Sequence, residues 1–413
     1  MNQKRVAFLT SIGAGLEYYD FVVYGMMASY LSALFFPESD QTLSLLKTFG
    51  VFAIGYIARP IGGAFFGMLG DFLGRKTSFL AVMFLMAIAT FSIGLLPTGF
   101  LGACLLVFLR LLQGLSFGAE LPGAITVVAE NVKREKRGAF LGALMSSVSL
   151  GAALASLVLY ILSTYFTREE ILAGAWRVPF LLGGILAAVS LWIRKHLSET
   201  PEFLEQKHTH KKLKEPLLSL LRNYPMQIFK GVGLTAFMSS LVIFAIYTPT
   251  YLKEYFHYES STIYLATIWG LIWSAISVSL CGFIVDRIGK RRAQILTSLA
   301  FIVFGYFFFE LLNGGTPTHL FIFMAIYQTF ISFLTPSLFA LLSEIFPTSV
   351  RYTGIALCYN ITYSLMGCAP LALTYLLKAT GNPSAAPLFL AAFALLSMGT
   401  CLLINPKYYE IKS

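Results

Sequence analysis

In a chain of 413 residues, 57% are hydrophobic and only 12% charged, against the roughly 25% charged that a soluble domain carries. That balance excludes a soluble globular protein and indicates a membrane protein. The net charge of +10 would suit a nucleic-acid binder, but the charges sit in short turns between apolar runs, where membrane orientation needs them, so no nucleic-acid partner is expected.

Twelve apolar runs follow one another, at about 7–34, 44–70, 77–97, 100–129, 138–165, 175–195, 228–252, 262–286, 293–313, 318–345, 352–378 and 385–404. Each is near the roughly 20 residues a helix needs to cross a bilayer. With no water in the bilayer core to satisfy the backbone, helices are the only sensible form for such runs. No cleavable signal is evident, because the first run continues too far past Lys4-Arg5. If the N-terminus is cytoplasmic, the outer turns hold only Arg168, Arg177, Lys253 and Lys378 among the lysines and arginines. The bias predicts both termini inside.

The first run carries Glu17, Asp20 and Tyr24 on one helix face, three and four positions apart. The second carries Arg59 directly before Pro60 and ends in a tight turn, Gly67-Met68-Leu69-Gly70-Asp71-Phe72-Leu73-Gly74-Arg75-Lys76. The fourth holds Arg110, Gln113 and Glu120, and Glu130 and Arg137 bracket the turn that follows it. The stretch 196–227 contains Lys207, His208, His210, Lys211, Lys212 and Lys214 without apolar periodicity. It reads as a solvated cytoplasmic linker too short to hold a core.

The second half repeats the first. Gly282-Phe283-Ile284-Val285-Asp286-Arg287-Ile288-Gly289-Lys290-Arg291 copies the turn of the second run, with Asp286 lying 215 positions after Asp71. Glu344 and Arg351 repeat the spacing of Glu130 and Arg137. The sequence therefore predicts an all-α membrane protein of twelve transmembrane helices in two pseudo-symmetric six-helix bundles, residues 1–195 and 228–413. Gly67 and Gly70 allow helices to approach closely. Asp71 can accept from the amide end of a neighbouring helix, Arg75 can pair with Glu130, and Asp286, Lys290 or Arg291, and Glu344 can do the same in the second half.

Six ionisable residues fall well inside the runs: Glu17, Asp20, Arg59, Arg110, Glu120 and Glu310. Each costs a few kcal/mol at the bilayer centre and needs a partner or a wet cavity. Three readings stand: a structural ion-pair network, a carboxylate that takes up and releases a proton, and an arginine that grips a substrate carboxylate at two points. The last two are compatible, and two buried arginines favour an anionic or zwitterionic solute over a neutral one. Glu310, among Phe307, Phe308 and Phe309, reads as a residue near the outer interface. The five cysteines, Cys104, Cys281, Cys358, Cys368 and Cys401, show no metal-like spacing, and the five histidines lie in or beside turns, so no metal is expected. There is no Gly-x-x-x-x-Gly-Lys loop, so ATP is not the driver. No nucleophile–base set at depth supports an enzyme.

The Gly67–Lys76 turn resembles the signature loop of the major facilitator superfamily. Leu16-Glu17-Tyr18-Tyr19-Asp20-Phe21, Ala58-Arg59-Pro60-Ile61-Gly62-Gly63, Arg110-Leu111-Leu112-Gln113-Gly114 with Glu120, Glu344-Ile345-Phe346-Pro347 and Arg351-Tyr352-Thr353-Gly354 resemble its metabolite:proton symporter branch, which includes proline/betaine, α-ketoglutarate, citrate and shikimate carriers. The chain departs from that branch at Tyr18, where tryptophan is usual, and in the short tail after Pro406, which puts osmotic sensing by a C-terminal coiled coil in doubt. The resemblance implies a gate latch at Gly67, Asp71, Gly74, Arg75, Glu130, Arg137, Asp286, Lys290, Arg291, Glu344 and Arg351. It implies proton coupling at Asp20 or Glu120, with Glu17 on the same face. It implies substrate contacts at Arg59 and Arg110, with Tyr24 and Gln113 alongside. Tyr247, Trp273, Tyr327, Gln328, Asn360 and Tyr363 are candidates to complete the cavity from the second half, and ordinary packing is an equal account of each. Trp269 and Trp273 share a face and could hold a quaternary ammonium.

The expectation is uptake of a small organic acid or zwitterion, driven by protons and without a cofactor, by a carrier of the inner membrane. The sequence does not separate monomer from dimer, and a monomer is the working expectation. Proton-driven export of a drug, siderophore or metabolite is the alternative. A non-transporting membrane sensor is more remote, because no signalling domain is present.

Overall fold

The structure, a computed structural model, describes residues 3–37, 41–195, 204–205 and 216–404, and no strand occurs among them. The first apolar run forms α1 (Gln3–Met26) and α2 (Ala28–Phe35), interrupted at Met27. Then come α3 (Gln41–Leu73), α4 (Arg75–Gly94), α5 (Phe100–Asn131), α6 (Arg137–Tyr165) and α7 (Arg177–Lys195). A short helix α8 (Pro216–Asn223) precedes α9 (Pro225–Phe256), α10 (Ser260–Ile288), α11 (Lys290–Phe309) and α12 (Pro317–Ile345). The eleventh run is split into α13 (Arg351–Met366) and α14 (Ala369–Thr380), and α15 (Ala385–Leu402) follows.

All twelve apolar runs are thus helical. Among the described residues, eight helices are long and apolar enough to span a bilayer, or nine if the bent pair Arg168–Ala175 and Arg177–Ile193 is one span. Of the remaining runs, the eleventh is broken between Met366 and Ala369. The outside of the molecule suits lipid: Ile57, Ile61 and Phe65 form a stripe at helical spacing on α3, each more than half exposed. Such a stripe is unfavourable in water and natural against acyl chains.

Two turns set the register of the halves. Gly74 (φ 125°) and Gly289 (φ 91°) begin α4 and α11 in a backbone region that L side chains avoid. Elsewhere glycine sets helix spacing. A Cβ on Gly62 would lie 2.0 Å from the Leu115 carbonyl oxygen, one on Gly114 2.2 Å from that of Gly55, and one on Gly118 2.1 Å from that of Arg59. Backbones of α3 and α5 therefore touch without side chains between them. α6 and α10 meet in the same way: a Cβ on Gly282 would lie 2.4 Å from the Gly138 oxygen.

Large buried side chains fill each half. Tyr19, Leu31, Phe35, Trp176 and Phe180 pack in the first. Phe244, Phe301, Phe308, Phe309, Phe323 and Tyr327 pack in the second. Residues 196–203 and 206–215 of the expected linker lie outside the described residues. The rest departs from a featureless linker, because Pro216–Asn223 is an amphipathic helix that buries Leu220 completely. A leucine needs only one turn of helix to reach the underside of a bundle, a period too short to read in sequence.

Candidate functional site

Three groups of residues stand out, all of them around buried charge. The first lies within the first half. Asp20 on α1 is 1% exposed. Its carboxyl oxygens have no ion-pair partner among the described residues, and the hydrogen-bonding side chain beside them is that of Thr90. Its space is made by Gly183 of α7, where a Cβ would come within 2.1 Å of Asp20 Oδ1, and Thr90 of α4 lies against the same spot. One turn earlier, Glu17 is fully buried and its Oε1 accepts from Ser190 Oγ of α7 at 2.7 Å. Arg110 of α5 is also buried. Its Nη1 donates to Gln113 Oε1 at 2.8 Å, and its guanidinium lies over the Tyr24 ring, 3.9 Å from the centroid. Gln113 Nε2 donates in turn to Thr90 Oγ1 at 2.8 Å.

The second group lies at the seam between the halves. Arg59 of α3 is 2% exposed. Its guanidinium carbon stands 4.5 Å from the Phe117 centroid, 4.9 Å from Tyr56, 5.2 Å from Phe21, 5.7 Å from Tyr363 and 5.8 Å from Tyr359. Tyr359 and Tyr363 come from α13 in the second half, their rings tilted by 33° with centroids 4.3 Å apart. No carboxylate pairs with Arg59 among the described residues. Five rings hold the cation in the place an anion would take. Asn360, between the two tyrosines in sequence, donates from Nδ2 to the Gly118 carbonyl at 2.5 Å, so α13 is pinned to α5 beside Arg59. Glu120 is buried on α5. Its neighbour Ala119 accepts from the Tyr352 hydroxyl of α13 at 2.8 Å.

The third group joins the two halves at the end carrying the motif turns. Asp71, at the end of α3, accepts from the Thr353 N–H at 2.9 Å, the Thr353 hydroxyl at 2.7 Å and the Tyr352 N–H at 3.3 Å. It thereby caps the N-terminus of α13. Arg75 pairs with Glu130 through Nε and Nη2, both at 3.1 Å, and with Asp71 at 3.0 Å. Its Nη2 also donates to the Thr348 carbonyl of the second half at 2.6 Å. Arg351 reaches back to Glu130 at 3.2 Å. The repeated turn mirrors this in the other half. Asp286 accepts from the Gly138 and Ala139 N–H groups at 2.7 and 2.8 Å, capping α6. Lys290 pairs with Glu344, and Arg137 stands 3.9 Å from the same carboxylate. Arg291 goes elsewhere, to the Cys401 and Leu402 carbonyls. Gly67 lies against the Thr353 backbone, and Gly74 shapes the turn.

The remaining candidates are scattered. Tyr327 is a core residue of the second half, its hydroxyl bonded to the Leu241 carbonyl and its ring stacked on Phe323. Tyr247 accepts from Thr374 at 3.1 Å. Trp273 donates to Thr329 at 2.9 Å, and Gln328 lies beside Gly270. Of the second-half candidates, only Asn360 and Tyr363 are brought to Arg59. Thr90, Gly183, Tyr56, Phe117 and Tyr359 belong to these sites but carry no charge that would single them out in sequence. The Gly183-Gly184 pair inside an apolar run was the one available signal.

A family model described as Major Facilitator Superfamily matches residues 10–370 and 231–410. The chain is 32% identical over 430 residues to the inner membrane metabolite transport protein YhjE of Escherichia coli (strain K12), covering 99% of this chain and 96% of that protein. It is 30% identical over 415 residues to the proline/betaine transporter of Salmonella typhimurium (strain LT2), covering 96% and 82%. A solved structure of the proton:xylose symporter XylE bound to 6-bromo-6-deoxy-D-glucose superposes with a TM-score of 0.83 at 18% identity, covering 98% of this chain and 96% of that one.

Proposed function

This chain belongs to the major facilitator superfamily, and we propose that within it the protein is a proton-coupled symporter that takes up a small organic acid or zwitterion across the inner membrane by alternating access. The observation that carries the reading is the pair of buried charges without counter-ions, Asp20 in the first half and Arg59 at the seam. A carboxylate left unpartnered in the bilayer core costs several kcal/mol, whereas the same group with a proton does not. Asp20 is the place where the proton rides. Arg59, ringed by aromatic groups and lacking a carboxylate, is the place where the solute's carboxylate binds, displacing the tyrosines of α13. A solute held there touches both halves, so binding can report to the rocking motion.

The printed names of the relatives support the solute class: a proline/betaine transporter handles zwitterions with one carboxylate. XylE, a proton:xylose symporter, supports the driving ion. The positive-inside bias supports a cytoplasmic position for the motif turns and both termini. The latch between the halves is closed at that end, and Asp20 and Arg59 are both buried, so a solute must open the molecule elsewhere to reach them.

Reconstituted vesicles with an imposed pH gradient test this, with labelled proline and glycine betaine as first probes and a panel of carboxylates behind them. Gradient-driven accumulation of at least one probe collapses with a protonophore. Asp20→Asn removes that accumulation but keeps solute exchange, and Arg59→Gln removes both. Accumulation indifferent to the protonophore sinks the proton reading.

A further inference from the structure

Two neutral residues stand between Asp20 and Arg110. Asp20, Thr90, Arg110 and Gln113 are each at most 2% exposed, and they come from three helices. The order along the chain of contacts is Asp20 with the Thr90 side chain, Thr90 accepting from Gln113 Nε2, and Gln113 Oε1 accepting from Arg110.

The chemistry fixes the direction of this chain. Arg110 has only donors, so the Gln113 amide must turn its oxygen to Arg110 and its nitrogen to Thr90. A flipped amide would set two donors face to face. Thr90 has then accepted from Gln113 and keeps its hydroxyl hydrogen for an acceptor. An ionised Asp20 is such an acceptor; a protonated Asp20 is not one that needs it. The hydroxyl therefore reads the charge of the carboxyl, and the amide is polarised between that hydroxyl and the guanidinium.

We propose that Thr90 and Gln113 are positioning residues that transmit the charge state of Asp20 to the Arg110 guanidinium, the proton itself staying on Asp20. This rests on the reading of Asp20 as the proton site. The ionisable groups acting directly on Asp20 are Glu17 and Tyr19, both on α1, and Arg110 on α5 is joined to it only through Gln113 and Thr90. α4 and α7 face it with Thr90 and Gly183, and α6 meets α1 through Gly151 against Gly15. Arg110 is thus the cation whose influence on Asp20 passes through the two neutral residues.

The test needs no solute. Infrared difference spectra of the purified protein across pH contain the carbonyl band of any protonated carboxyl, and the band lost in Asp20→Asn is assigned to Asp20. Arg110→Gln removes the cation and raises the midpoint of that band by about one pH unit. In a Thr90→Val or Gln113→Leu background the same Arg110→Gln change moves it by less than about a third of a unit. Thr90→Ser, which keeps the hydroxyl, restores the full shift, and Arg110→Lys, which keeps the charge, gives a midpoint near the parental one. An equal shift with and without Thr90 and Gln113 overturns the proposal, as does no shift in the parental background. If no titrating band disappears in Asp20→Asn, the proton reading itself falls, and this proposal with it.

Discussion

Asp20 has room for its carboxyl because position 183 carries no side chain. An added Cβ there would stand 2.1 Å from Oδ1, well inside contact distance, so Gly183→Ala must displace the acid without changing any charge. The expected result is a loss of pH-driven accumulation close to that of Asp20→Asn, tenfold or more, with solute exchange retained. Gly399→Ala is the control, because nothing lies within reach of a Cβ there, and alanine in a helix interior is favoured over glycine by about 1 kcal/mol. Parental accumulation in Gly183→Ala would show that the carboxyl position does not matter. At this scale the sequence was informative about charge and silent about its surroundings. Asp20, Arg59 and Arg110 were visible because a charge in an apolar run is rare. Thr90, Gly183 and Phe117 were not, because a threonine, a glycine or a phenylalanine in such a run is ordinary until the fold brings it beside a charge from another helix.

The elements were legible to the extent that hydrophobic length and turn chemistry specify them. The motif turns were readable because only glycine suits the backbone of Gly74 and Gly289. The interruption at Met27 was not, because no proline marks it, and the one at Gly367–Cys368 is marked by Pro370 in the first turn of α14 but lies inside an unbroken apolar run. Nor does a helical run reveal which helix it will touch: α3 and α5 are matched by glycines 55 and 62 on one and 114 and 118 on the other, a pairing that sequence alone cannot assign. That pairing makes a prediction about elements. Gly118→Ala would place a methyl 2.1 Å from the Arg59 carbonyl and force the two helices apart. Overpacking of this kind costs about 1–3 kcal/mol, so the apparent melting temperature of detergent-purified protein falls by several degrees, roughly 2–4 °C for each kcal/mol. The shift also moves Arg59, so solute affinity falls with stability. A Gly118→Ala protein with parental melting temperature would contradict the close crossing.

For the whole molecule, the decisive fact is that each half caps a helix of the other. Asp71 of the first half closes the N-terminus of α13 with three hydrogen bonds, and it is 1% exposed. Asp286 of the second half closes α6 with two, from a less buried position. Both contacts exist only while this end of the molecule is shut, so both stabilise one global state, and weakening either shifts the same equilibrium. Asn keeps one acceptor oxygen but loses the charge. The difference between a charged and a neutral acceptor is about 1 kcal/mol, about a fivefold change in population where it is expressed in full. Asp71→Asn therefore moves the open-to-shut ratio at this end by roughly fivefold, and Asp286→Asn by less, because it has one bond fewer and more access to water. Since both act on one equilibrium without sharing a partner, the double variant shows the product of the two shifts. Spin labels on the turn before α4 and the turn before α13 report it as growth of a longer-distance population in double electron–electron resonance. Distance distributions unchanged in Asp71→Asn would show that the Asp71 cap does not set which way the carrier faces, the halves being held at this end by contacts such as Arg351–Glu130 and Arg75–Thr348.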